Sequence, residues 1–208
     1  MDTALSATIQ KRIEHTVQAL RKNRFEAHYI PTKEELLAKV AQLMPEGCSC
    51  AMGGSVTLNE TGVAQFLESG GFTYYASHPG ADEEQRLKAM TCDVYLTSAN
   101  AITLDGKLYN VDGLANRVAA ICFGPKKVIV VAGYNKIVTD IPAARKRVRE
   151  IAAPANVARL DRKNPCAVIG VCQDCASPQR ICCQELTTAY QRIPGRICVL
   201  IVGEQYGY

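Results

Sequence analysis

Five cysteines fall within residues 166–183, "CAVIGVCQDCASPQRICC", out of ten in the 208-residue chain. Their spacing is C-x5-C-x2-C-x6-C-C. A C-x2-C pair lets two thiolates reach one metal ion or cluster from a single loop. Ser177 followed by Pro178 reads as a helix start, with the serine as N-cap and the proline in the first helical position. That places Cys182 and Cys183 early in a helix, where the helix dipole and Arg180 favour thiolates. Adjacent helical residues point about 100° apart, so one site takes only one of the two. Cys182 shares a helix face with Leu186 and Ala189 and is the expected ligand; Cys183 is the spare. The expected metal set is therefore Cys172, Cys175 and Cys182, with Cys166 as the fourth ligand ahead of a flexible "AVIG" stretch. All-thiolate ligation suits an iron–sulfur cluster or zinc. Zinc ribbons bring two separated C-x2-C pairs and one is present here, so the cluster is the first expectation. Zinc and metal-free redox thiols stay open as alternatives.

The other five cysteines read as core. Cys48 and Cys50 lie two apart on one strand face, and Cys92, Cys122 and Cys198 sit within apolar segments, where free cysteine is a common buried residue. His15, His28 and His78 are isolated in sequence and read as surface or satisfied core.

Two polar loops could bind a ligand. In "AMGGSVTLNETG" (51–62), Gly53 and Gly54 would let backbone amides approach an anion, and Ser55, Thr57 and Asn59 would add hydrogen bonds. The Gly-Lys-Ser/Thr ending of a Walker loop is missing. In "TSANAITLDGKLYNVDGLANR" (97–117), Asn100, Asp105, Asn110, Asp112 and Asn116 surround a hairpin signalled by Asp-Gly. Both loops follow buried strands and precede helices, so both are expected to open on one pocket for a small anionic metabolite.

The elements that must position these residues alternate. Residues 4–24 read as a helix on the spacing of Ile9, Ile13, Val17 and Leu20. A strand "FEAHYI" follows, then a helix from Thr32, with Glu35 completing a capping box. Next come strand "CSCAMGG", a helix from about Thr57, strand "FTYYAS", helix "DEEQRLKAM", strand "DVYLTSA", and helix "GLANRVAAICF". The run "KKVIVVAG" is continuously apolar, as a central parallel strand covered on both faces should be. Helix "IPAARKRVREIA", the cysteine segment and strand "ICVLIVG" complete the chain. The expected fold is α/β: a Rossmann-like, mainly parallel sheet with helices on both faces. One domain spans 1–208, with an N-terminal helical region (1–45) and a cysteine-rich segment (164–184).

With 48% hydrophobic and 21% charged residues, the chain can bury a full core without disulfides. The N-terminus lacks the basic start and apolar run of a signal peptide, and no stretch approaches the ~18 apolar residues of a membrane span. A cytoplasmic setting with reduced thiols is expected. Net charge is +4, spread along the chain, there is no Trp, and aromatics are 6%. The run "RKRVRE" reads as the solvated face of a helix, so neither nucleic acid nor membrane is an expected partner.

"MGGSVTLNETG", "DVYLTSANAITLDGKLYNVDGLANRVAAICFGPKKVIVVAGYNKIV" and "CQDCASPQRIC" together resemble the LUD domain family, named for lactate utilisation proteins, from about residue 10 to the end. That family is similar to the sugar-phosphate isomerases and CoA transferases, which implies a Rossmann-like fold and a small-molecule site built from the two loops. Where related isomerases carry a Gly-Ala-Asp run whose Asp takes part in proton transfer, the matching position here is Asn100. A neutral amide cannot act as a general base, and the remaining Asp105 and Asp112 are turn and loop residues suited to backbone hydrogen bonds, so the isomerase reading is weakened. Glu60 reads as a first-turn helix acid, and no Glu stands out as a CoA-transferase nucleophile. Two functions follow as expectations. One is an enzyme binding an organic acid or sugar phosphate beside a cysteine-ligated iron–sulfur cluster. The other is a non-catalytic subunit of an electron-transfer or lactate-oxidising assembly with a structural metal, or a metabolite sensor. A redox protein and a second copy of the chain are the macromolecular partners these readings would need.

Overall fold

The computed structural model describes residues 2–77 and 80–208; His78 lies outside them. Helix α1 (Thr3–Lys22) is capped by Asp2, whose carboxylate accepts from the amides of Ala4 and Leu5. Strand β1 (Glu26–Ile30) leads to α2 (Lys33–Leu43), where the Thr32 hydroxyl accepts from the Glu35 amide at 3.3 Å. Then follow β2 (Ser49–Met52), α3 (Val56–Glu60), α4 (Val63–Ser69), β3 (Thr73–Ala76), α5 (Glu83–Ala89) and β4 (Val94–Thr97). A hairpin of β5 (Ala101–Thr103) and β6 (Leu108–Asp112) precedes α6 (Asn116–Cys122) and β7 (Lys127–Gly133). After β8 (Ile137–Val138), helix α7 (Ile141–Arg147) runs through a wider π segment (Val148–Ala152) into α8 (Ala153–Arg159). The chain ends with α9 (Pro165–Ile169), β9 (Gln184–Thr188) and β10 (Ile197–Val202).

Six strands form one wholly parallel sheet in the order β1-β10-β7-β4-β2-β3. "KKVIVVAG" is β7, inside that sheet and buried from Val128 to Gly133. Alternate residues of the strands feed two cores. Val128, Val130, Val199 and Ile201 face α1, whose Ile13, Val17 and Leu20 lie one helical turn apart. Ile129, Val131, Leu200 and Val202 face Leu36 and Val40 of α2 and Leu58 of α3. Each fully buried aliphatic side chain contributes roughly 1.5–3 kcal/mol, and a parallel strand needs such cover on both faces.

A second sheet, β8-β5-β6-β9, carries the cysteine segment's strand: β9 pairs antiparallel with β6 from Asp112↔Gln184 to Leu108↔Thr188. Its core of Ala101, Tyr109, Ala144 and Val148 is closed by α7.

Several sequence expectations change in three dimensions. No helix begins at Ser177. Pro178 and Gln179 form a turn closed by Arg180 N–H to Ser177 O at 3.0 Å, and the Ser177 hydroxyl accepts from Gln179 N at 3.2 Å. A serine before a proline can cap such a turn as well as a helix. Cys182 and Cys183 therefore lie in the irregular segment that leads into β9 and not in a helix. The "AVIG" stretch is not flexible coil but α9, with Cys166 buried in its first turn. The run "RKRVRE" is not all solvated: Arg147 is buried and donates to Asn100 O at 2.7 Å and Asn135 O at 3.2 Å. Cys122 is exposed, not core. Among the described residues no helix is long and apolar enough to cross a membrane.

Candidate functional site

A cavity of about 330 Å³ opens at the carboxyl ends of the parallel strands. Gly53, Gly54, Ser55 and Thr57 line it after β2, Ser98 and Asn100 after β4, and Asp112 at the end of β6 with Asn116 at the start of α6. Both polar loops thus meet in one place. Three expected members lie elsewhere. Asn59 is an exposed residue of α3. Asn110 is buried and spends its amide on Ser98 O at 3.1 Å, which braces the wall from behind. Asp105 occupies the hairpin tip, bonded to Thr103 and Lys107. That tip packs on α1: Gly106 has φ +80°, a Cβ there would stand 2.5 Å from the Ala19 carbonyl carbon, and Asn23 donates to both Asp105 O and Gly106 O. The turn is held against the helix, away from the cavity.

Within the wall, several expected contacts are structural. The Gly53 amide bonds Leu96 O at 3.3 Å, extending the sheet. The Ser55 hydroxyl caps α3 through Leu58 N. Asn100 Oδ1 accepts from Val111 N at 2.8 Å and Arg117 Nη2 at 3.1 Å, and Asp112 Oδ2 accepts from Val118 N at 3.1 Å. Asn116 donates to Ser77 O. Glu60 is not a first-turn acid: it ends α3, and its carboxylate accepts from Gly207 N at 2.6 Å.

The cavity's charge comes from basic residues that the sequence reading did not count among its ligand-binding residues. Arg117, Lys136, Arg159, Arg162 and Arg180 line it, against one carboxylate, Asp112. Lys136 is 3% exposed, and its Nζ donates to Thr57 Oγ1 at 2.8 Å and Ser98 Oγ at 3.0 Å. Burial, with Arg147 and Arg117 nearby, pulls its pKa down from 10.5 to about 7. The segment Tyr206–Tyr208 closes over it: Thr57 donates to Tyr206 O, Asn135 donates to Gly207 O, and Tyr208 joins the wall. Gly207 has φ +58°, and a Cβ there would stand 2.5 Å from Thr57 Oγ1.

The cysteine loop forms part of the same wall through Pro178, Gln179, Arg180 and Ile181. Arg180 donates to Cys175 O at 2.8 Å and Cys182 O at 2.9 Å. Donors also point at sulfur: Asp174 N lies 3.3 Å from Cys172 Sγ, and Asn164 Nδ2 lies 3.8 Å from Cys175 Sγ. The Ser177 amide, Asn164 and Arg180 hold the Cys175 thiol below its ordinary range. Burial pushes Cys166 and Cys182 up and the neighbouring Cys172 and Cys175 add to it, while Arg180 opposes the rise at Cys182. Mutual repulsion of this kind is what a bound cation relieves. Cys183 is exposed and its amide is tied to Asp112 O.

A LUD domain profile matches residues 13–202. The chain belongs to the LUD domain family. A DUF162 family protein from Deinococcus radiodurans superposes with a TM-score of 0.55 over 95% of this chain and 98% of its own, at 15% identity. Two more distant structures each match about half: eIF2B delta from Chaetomium thermophilum covers 51% of this chain and 48% of its own (19% identity, TM-score 0.38), and ribose 5-phosphate isomerase from Plasmodium falciparum covers 51% and 52% (16%, 0.35). At 15% identity the likeness to the DUF162 protein shows the fold alone. No curated protein matches the chain.

In this LUD domain the described residues contain one trio of His, Cys, Asp or Glu whose ligand atoms all lie within 4.8 Å of one another: Glu26, His28 and Cys198. His28 is therefore not isolated, since its Nε2 is 3.2 Å from Glu26 Oε1. Lys127 already pairs with that carboxylate at 3.2 Å, and burial first, then the Glu26 charge, push the Cys198 thiol up to about 12. This trio reads as a satisfied strand face. The loop cysteines are not gathered that tightly. Four ligands ~2.3 Å from one tetrahedral ion stand only ~3.8 Å apart, so the loop is not preset for a single ion. A cluster, whose ligands bind separate irons, accepts wider spacing.

Proposed function

We propose that this LUD domain binds a small anionic metabolite, an organic acid or sugar phosphate, beside an iron–sulfur cluster held by the cysteine loop. The observation that carries the reading is the shared wall. Residues 178–181, between Cys175 and Cys182, line the cavity together with the β2 and β6–α6 loops. The excess of cationic over anionic lining supports an anion, because charges of one sign in a concave, partly dry site attract the opposite sign strongly.

Cys172, Cys175 and Cys182 would hold the cluster, with Cys166 of α9 as the fourth ligand. The cluster would supply an electron carrier or a Lewis-acidic iron next to the cavity. Arg180 orients the loop through the Cys175 and Cys182 carbonyls. Asn164 and the Asp174 amide favour thiolates by donating to sulfur. The guanidiniums of Arg117, Arg159, Arg162 and Arg180 supply the cavity's positive charge, and Asn100 keeps Arg117 in place. A cytoplasmic, reducing setting suits such a centre.

The test is anaerobic purification followed by visible absorption and metal analysis. Several irons per chain with a broad visible band support the reading. Stoichiometric zinc without colour would replace the cluster by a structural ion. The anion is tested separately, through the rise in melting temperature with phosphate, sulfate and small carboxylates.

A further inference from the structure

The cavity holds two different kinds of positive group. Arg117, Arg159, Arg162 and Arg180 carry guanidiniums, which stay charged and are poor nucleophiles. Lys136 is the one amine among the lining residues. Its surroundings suit a neutral amine better than an ammonium ion. Its hydrogen-bond acceptors are two hydroxyls, Thr57 Oγ1 at 2.8 Å and Ser98 Oγ at 3.0 Å, and no described carboxylate pairs with it. Thr57 gives its own proton to Tyr206 O, so towards Lys136 its oxygen can only accept. Two acceptors use both N–H bonds of a neutral amine and leave its lone pair free. For the third proton of an ammonium ion no further described side chain offers an acceptor, in a site that is 3% exposed. The lowered pKa agrees with this geometry.

We infer that Lys136 is the nucleophile of this site, forming an imine with the aldehyde or ketone carbon of a small anion whose charged end is held by the guanidiniums. The inference rests on the anion-site reading above and narrows its ligand to carbonyl compounds. In the first step the Nζ lone pair forms the N–C bond, the C=O pi pair moves to oxygen, and an N–H proton passes to that oxygen. In the second, the carbinolamine hydroxyl takes one proton and leaves as water, giving the protonated imine. Aldehyde or ketone, amine and one proton become iminium and water, with no change of oxidation state. The step needs no co-reactant. Thr57 and Ser98 hold the two N–H bonds and thereby aim the lone pair.

The experiment uses the full chain with glyoxylate or glyceraldehyde phosphate and sodium cyanoborohydride, followed by peptide mass spectrometry. At pH 7 an amine of pKa about 7 is roughly half neutral, whereas a surface lysine is almost wholly protonated. The expected result is a reduced adduct on Lys136 formed about a hundredfold faster than on surface lysines, and blocked by excess glycolate or glycerol phosphate. The two probes distinguish a carboxylate ligand from a phosphate one. Glycolate and glycerol phosphate have no carbonyl, so their effect on melting temperature tests the anion site alone. If they stabilise the protein but Lys136 labels no faster than surface lysines, the imine is overturned and the anion site stands. If none of the four compounds stabilises or labels the site, both readings fail. Lys136→Arg should lose the adduct. Because the labelling rate is read in the wild-type chain, the outcome does not depend on that variant folding.

Discussion

Arg180 Nη1 holds the carbonyl oxygen of Cys175 at 2.8 Å, and the same side chain lines the cavity. One guanidinium therefore belongs both to the cysteine loop and to the ligand wall. Arg180→Ala removes its bonds to Cys175 O, Cys182 O and Asp174 together. Outer-shell losses of this kind cost about 10–100-fold in metal retention. The expected result is faster iron loss to a chelator and a smaller rise in melting temperature with anions. Unchanged behaviour in both assays would show that the two sites are merely neighbours.

Serine replacement of the five loop cysteines should separate them into three ranks. Cys172→Ser, Cys175→Ser and Cys182→Ser should each abolish iron retention, Cys166→Ser should weaken it, and Cys183→Ser should leave it nearly intact. Iron per chain after anaerobic purification is the readout. Equal iron in all five variants would refute the ligand set.

Lys136 makes stability depend on pH in a predictable direction. Its pKa is about 7 in the folded chain against an ordinary 10.5. Between those values the unfolded chain binds a proton that the folded chain does not, so stability rises with pH from about 7 to about 10. Below about pH 7 both states are protonated, and the cost of the buried charge is fully present. Lys136→Met removes this slope, which is at most ~1.36 kcal/mol per pH unit. Urea unfolding across that range should show the wild type gaining on the variant as pH rises. A constant difference would mean that Lys136 keeps its proton in the folded state.

Gly106→Ala should destabilise the fold without touching the site. It combines φ +80° with a Cβ 2.5 Å from α1 backbone, and strain plus overlap should cost about 3 kcal/mol or more. Urea unfolding measures the loss. Iron content and anion-induced stabilisation per folded molecule should match the wild type.

Periodicity made most of the fold legible, because β7's unbroken apolar run and α1's stripe each report burial directly. The site was legible where backbone pattern decided it: a glycine turn after β2 and a polar loop after β4 must reach the same sheet edge. Lys136 was not legible. In "GYNKIV" it is a single lysine after a strand, and only the packing of Thr57, Ser98 and the Tyr206–Tyr208 segment buries it. Arg147 hid in the same way inside a run of charges. Asp105 misled because a turn residue's direction is set by what the turn packs on, here α1. The helix expected at Ser177 failed because capping chemistry is shared by helices and isolated turns, and nothing in eight residues of local sequence separates the two.

The β6–β9 ladder has a consequence for how a metal centre would be built. With β9 zipped to β6 from Asp112↔Gln184 onward and α9 seated at the other end, both ends of the cysteine loop are fixed by the protein's own fold. A zinc finger waits for its ion before it folds; a loop anchored at both ends would instead take a metal centre onto a strand and a helix already in place. Assembly of the proposed cluster would then follow folding rather than drive it.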